Sequence, residues 1–156
     1  MPTKITPAQW RTAVEGATNE IATHALSMPG AVVLDPVGPE SAVSLIGAHI
    51  PMIGGGQAFD LALVASAEGC RALARAILYM APDAPLRDAE FADPVGEIVN
   101  MLAGGVKRRI PGLDLTLGLP LFVHGYIEPT DRLMVTTYPV RFVAIETMVL
   151  ITGQRG

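Results

Sequence analysis

What the chain lacks narrows its chemistry first. It has a single cysteine among 156 residues, Cys70, so no internal disulfide can form. A lone thiol fits a reducing cytoplasm. Basic residues are few: the net charge is −4, which argues against nucleic acid or an anionic membrane as the main partner. No apolar run is long enough to span a bilayer, because "FVAIETMVLITG" is interrupted by Glu146. The start, "MPTKITPAQWRT", has no apolar core of the kind a signal peptide needs. The glycines of "PMIGGGQ" have neither the spacing nor the following helix of a phosphate or dinucleotide loop. His24, His49 and His124 are scattered and read as structural or surface residues, so no metal-ligand cluster is visible. Nor is there a Ser/His/Asp arrangement at a recognisable elbow. An unrelated small-molecule enzyme therefore has little support, and the expectation is a cytoplasmic protein.

What is present is apolar material. Half of the residues are hydrophobic, and mean hydropathy is +0.40. That is enough for one domain core over residues 1–156, and for a subunit interface besides. The pattern along the chain predicts a helix over 7–27, capped by Thr6 with Pro7 in the first turn. Trp10, Val14, Ala17, Ile21 and Leu26 form its apolar stripe. "AVVLD" reads as a short strand. Residues 41–50 and 58–66 read as strands joined by a hairpin loop, "PMIGGGQ". A second helix is expected from Ala67 to Met80, with Cys70 buried in it, followed by a loop, "APDAPLRD". A third is expected from about Asp93 to Ile110, and three strands follow at 115–125, 131–140 and 141–152. Pro139 and Arg141 suggest a break or a sheet edge. The order helix, strands, helix, helix, strands predicts an α+β fold with an antiparallel sheet and a coarse two-half character.

The third helix carries the most information. Asp93 is placed to cap it and Pro94 to open it. At about 100° per residue from Glu97, the residues Val95, Ile98, Val99, Leu102, Val106 and Ile110 fall between about 100° and 220° and make a core-facing stripe. Asp93, Asn100, Gly104, Lys107 and Arg108 fall within about 80° of Glu97 on the other side. Glu97 and Asn100 are then neighbours on an exposed ridge. Gly104, next along it, has no side chain and leaves room for another surface. Gly105 has no evident reason in the sequence. Lys107, Arg108 and Arg109 lie where cations meet the negative end of a helix dipole.

"DPVGEIVNMLAGGVKRRI" followed by "LTLGLPLFVHG" resembles the CheX/CheC family of chemotaxis phosphatases over residues 93–125. The pattern is an acidic or serine position, Glu four residues on, Asn three further, then a downstream proline. Asp93, Glu97 and Asn100 match it in spacing, and Pro120 follows Asn100 at a slightly shorter interval than is usual. The resemblance implies a pseudo-two-fold, CheC/CheX-like architecture. The implied substrate is a phosphorylated CheY-type receiver domain that carries its own Mg²⁺, with no cofactor held by this chain. It also implies that Asn100 orients the attacking water and that Glu97 meets the receiver's lysine. Asp93, in the same motif, and Gly104, by its lack of a side chain on the ridge, are expected to border the partner contact. The chemistry agrees: acyl phosphate hydrolysis needs a water in line with the leaving oxygen, and a neutral amide can accept from water while donating to a phosphoryl oxygen. The first helix has Glu15, Asn19 and Glu20 but no Glu-x-x-Asn, which points to one site per chain, as in CheX. By the same resemblance a homodimer joined through its sheets is expected. A non-catalytic binding or dimerisation module of the same fold is the alternative.

Overall fold

In the computed structural model, residues 4–37, 43–112, 114–127 and 133–154 are described. Positions 41–42 and 131–132 of the expected strands lie outside them. Among the described residues the chain runs α1 (Pro7–His24), β1 (Val32–Val33), β2 (Val43–Gly54), β3 (Gln57–Ala65) and α2 (Ala67–Ile77). Then follow a short 3-10 turn (Asp88–Glu90), α3 (Ala92–Arg108), β4 (Thr116–Leu117), β5 (Leu121–Ile127), β6 (Leu133–Phe142) and β7 (Ile145–Gln154). The fold is α+β, and every strand pairing is antiparallel. The sheet order is β1-β6-β7-β3-β2, with β4 and β5 both pairing β2 along different stretches.

The element ends follow local chemistry. Thr6 caps α1 as expected: its hydroxyl accepts from the Gln9 N–H at 3.2 Å, and the Gln9 side chain accepts from the Thr6 N–H at 2.8 Å. The turn between β2 and β3 is tighter than the expected loop. β2 runs on through Pro51 to Gly54, and only Gly55 and Gly56 turn, with φ of 58° and 75°. Two consecutive positive φ values are what a primed hairpin turn requires, and glycine adopts them without steric cost. The expected single strand over 115–125 is instead two, because the chain leaves the ladder between them. Gly118 donates to the Pro51 carbonyl at 2.8 Å, and β5 begins after Pro120. Pro139 does not break its strand. β6 continues to Phe142, and the chain reverses at Val143 and Ala144. Pro139 is tolerated because the strand beside β6 is only the two-residue β1.

Alternate residues of the central strands meet the helices in one core. Ala48, Ile50 and Met52 from β2, Leu61 and Leu63 from β3, and Val149 and Ile151 from β7 pack with the apolar stripes of α1, α2 and α3. The predicted α1 stripe of Trp10, Val14, Ala17, Ile21 and Leu26 is buried. Cys70 is buried as well, with its Sγ 3.3 Å from the Ile46 carbonyl oxygen. Ala62, Val64, Val135 and Leu150 form a smaller cluster from the alternate positions of the strands, on the other face of the sheet. No helix among the described residues is long and apolar enough to cross a membrane.

Candidate functional site

α3 is fixed from three sides. Its core stripe, Val95, Ile98, Val99, Leu102 and Val106, is fully buried against the sheet. Its first turn is anchored to β5 by an edge-to-face contact between Phe91 and Phe122, with ring centroids 5.5 Å apart. On that flank Pro120 lies against Gly96, where a Cβ would stand 3.8 Å from the proline ring. On the opposite flank α1 comes close enough that a Cβ on Gly105 would stand 2.9 Å from the Ala17 Cβ. Gly105, unexplained by sequence, is therefore the contact point of two helices. Gly16 serves the same interface, since a Cβ there would meet the Arg109 side chain.

The one side left open is the predicted ridge. Asp93, Glu97 and Asn100 are exposed and Gly104 is half-exposed, while the residues between them are mostly buried. Among the described residues, no side-chain hydrogen bond or ion pair engages Glu97 or Asn100. A carboxylate and a carboxamide one helical turn apart are thus both available to an incoming partner. Gly104 is open in a way that Gly105 is not: a Cβ there would meet only the Arg108 guanidinium, at 3.7 Å.

Asp93 departs from its expected place. The α3 N-cap is Phe91, without a side-chain cap, and Asp93 and Pro94 follow inside the first turn. The preceding 3-10 turn leads directly into the helix, so Phe91 already has helical geometry and its carbonyl accepts from the Val95 N–H at 3.0 Å. Asp93 still lies near the positive end of the helix dipole and remains on the ridge.

The basic run at the other end has a partner that sequence reading missed. Glu20 of α1 accepts from both Arg108 and Arg109, one carboxylate oxygen each. The Arg109 hydrogen bond, reinforced by the charge of both arginines, holds the Glu20 carboxyl below its ordinary range. Arg109 also donates to the Gly105 carbonyl at 3.0 Å, closing the helix end. The other acidic and amide groups of α1 are committed too. Glu15 pairs with Arg11 at 2.8 Å. Asn19 accepts from the Ala31 N–H at 3.0 Å and donates to the Glu15 carbonyl at 2.9 Å. α1 therefore offers no second free Glu/Asn pair.

The rest of the surface holds less chemistry. His49 pairs with Asp60 at 2.9 Å on the sheet, and His24 and His124 are exposed. No group of three or more metal-binding side chains gathers among the described residues. A cleft of about 250 Å³ lined by Leu34, Pro139, Arg141, Glu146 and Met148 lies along β6 and β7, not at α3. The candidate site is a raised ridge, a shape that suits a protein surface better than a small molecule.

Comparison with known proteins decides the family. The family model described as chemotaxis phosphatase CheX matches residues 46–131, which includes all of α3 and Pro120. The chain belongs to the CheX family of chemotaxis phosphatases. No functionally curated protein matches the sequence. Solved structures of CheX-family proteins share the fold. A chemotaxis protein CheX from Desulfovibrio desulfuricans superposes with a TM-score of 0.76 at 17% identity, over 94% of this chain and 99% of its own. One from Vibrio vulnificus gives 0.73 at 20% identity, over 92% and 97%. The CheX–CheY–BeF3–Mg²⁺ complex from Borrelia burgdorferi gives 0.64 at 14% identity, over 98% and 100%. That last relative was solved with a CheY bound.

Proposed function

We propose that this CheX-family chain hydrolyses the aspartyl phosphate of a CheY-type receiver domain in the cytoplasm. The observation that carries the reading is the free Glu97/Asn100 pair on the exposed α3 ridge, in a family of chemotaxis phosphatases. Asn100 holds a water against the phosphorus: its carbonyl oxygen accepts from the water and its N–H donates to a phosphoryl oxygen. The water attacks as the bond to the aspartyl oxygen breaks, leaving a free carboxylate and inorganic phosphate. A neutral amide does this without repelling the anion. Glu97 fixes the register by a charge-assisted contact with the receiver's lysine. Asp93 and Gly104 border the contact, one with charge and one with clearance. The divalent metal travels with the receiver, so this chain holds no cofactor. The protein acts as a homodimer joined through its sheets, and β5, which pairs only with β2 among the described strands, leaves one side open for that joining.

The test is the rate of phosphate release from a phosphorylated CheY-type receiver. Asn100→Ala lowers kcat by about 10²-fold or more, whereas Glu97→Ala raises KM more than it lowers kcat. An Asn100→Ala protein as fast as wild type would remove the catalytic reading. Capture of the phosphorylated receiver without any shortening of its lifetime would instead favour a binding module.

A further inference from the structure

We propose that Arg108 is a receiver-docking residue, whose guanidinium meets the anionic surface around the partner's aspartyl phosphate. The proposal rests on the α3 ridge being the receiver-binding surface. Three features of the structure carry it. Arg108 is on the same ridge as Glu97 and Asn100, and its side chain is 59% exposed. It does not extend off the helix end. It folds back toward the N-terminus, as long helical side chains do, so that Nη1 lies 3.7 Å from where a Gly104 Cβ would be. That brings the cation to within about one turn, ~6 Å along the axis, of Asn100. Finally, it is held there from outside its own helix, by the Glu20 carboxylate.

The charges at this corner do not cancel. One carboxylate, Glu20, faces two guanidiniums, Arg108 and Arg109, leaving one net positive charge. Arg109 is committed: it is 29% exposed, and its other amino group closes the α3 carbonyl at Gly105. The surplus is displayed through Arg108. A helix-end cation answering the dipole alone could point anywhere into solvent. Here the cation is laid over a glycine, alongside the amide proposed to act on a phosphoryl group. An aspartyl phosphate is anionic, and a magnesium site beside it is built from carboxylates. A guanidinium fork matches either kind of oxygen pair. The ridge then reads as bipolar, with Glu97 for a cation, Arg108 for anions and Asn100 between them.

Two measurements test this on the full-length protein with one CheY-type receiver: Kd for the receiver loaded with beryllofluoride and Mg²⁺, and kcat and KM with the phosphorylated receiver. Arg108→Ala raises Kd and KM about five- to tenfold and leaves kcat within twofold. Arg108→Lys recovers part of the loss, and added salt narrows the gap to wild type. Arg141→Ala, which removes an exposed cation from β6, changes neither constant. If wild type binds but does not turn over, the phosphatase reading fails, and the docking role is judged on Kd alone. If Arg108→Ala binds as tightly as wild type, or loses only kcat, the docking role is overturned while the phosphatase reading stands. Absence of any binding by wild type overturns both.

Discussion

Gly104 and Gly105 are adjacent, both helical and both replaceable by alanine, yet the two substitutions have different consequences. Each replacement gains about 1 kcal/mol of helix propensity. At Gly104 nothing opposes that gain, because the new methyl group meets only the tip of a flexible arginine at 3.7 Å. Gly104→Ala is therefore stabilising by up to about 1 kcal/mol, a rise in Tm of roughly 2–4 °C for a chain of this size. At Gly105 the methyl carbon would stand 2.9 Å from the Ala17 Cβ and 3.3 Å from its Cα. Neither atom can turn aside without moving α1. Forcing such a contact costs about 1–3 kcal/mol, which offsets or exceeds the propensity gain. The propensity terms cancel in the comparison, so the difference is firmer than either value: Gly104→Ala is more stable than Gly105→Ala by about 1–3 kcal/mol. Paired thermal or guanidinium unfolding of the two variants measures it directly. Equal shifts, or a Gly105→Ala protein more stable than Gly104→Ala, would refute the geometry of the α1–α3 contact. If Gly104 is the clearance proposed for a partner, Gly104→Ala also raises KM for a phosphorylated receiver while raising Tm.

Two other perturbations probe parts of the same frame. The folded-state pKa of Glu20 is lowered, first by its hydrogen bond from Arg109, so its stabilising effect is present above its ordinary value near 4.5 and is lost as pH falls through the folded value. Wild type is thus more stable than Glu20→Gln at pH 7, and the gap narrows as pH falls below 4.5; thermal unfolding at pH 7 and in acid checks this, and a gap unchanged in acid refutes it. Burial pushes the Cys70 thiol up to about 11, so a disulfide reagent at pH 8 labels the native protein far more slowly than the guanidinium-unfolded chain; equal rates would refute the packing of α2.

The faces of α3 are legible in the sequence because helix periodicity and burial coincide there. Val95, Ile98, Val99, Leu102 and Val106 stand on one arc and are all buried, while Asp93, Glu97 and Asn100 stand on the other and are all exposed. Where the sequence misleads, a tertiary contact or a neighbouring element has overridden a local rule. Asp93 has a good capping side chain, but the turn over Asp88–Glu90 sets the helix start one position earlier than Asp93. Pro139 reads as either a break or a sheet edge, and the edge is what is found: it is at the sparsely paired side of the sheet, where a missing N–H costs little. Gly105 and Glu20 are illegible for another reason. Each acts on a residue about 88 positions away in the chain, Ala17 for the glycine and Arg108 for the glutamate. No local pattern encodes a pairing at that separation.

The two helices show why one ridge and not two remains available. α1 and α3 are both amphipathic, both bury their apolar stripes in the same core, and both carry Glu and Asn. On α1 those groups are spent within the fold: Asn19 tethers the Ala31 backbone, Glu15 pairs with Arg11, and Glu20 bridges to the end of α3. On α3, by contrast, the polar pair has no internal partner, and the helix is held by aromatic, proline and glycine contacts on its flanks. The division is physical. The Asn19 amide is held at both ends, its oxygen by the Ala31 N–H and its N–H by the Glu15 carbonyl, so it is not free to turn toward a partner's phosphoryl group. Asn19 therefore could not replace Asn100 unless the Ala31 tether were released. An Asn100→Ala protein should accordingly retain no residual turnover from α1, and appreciable residual turnover in that variant would show that Asn19 is less committed than its hydrogen bonds imply.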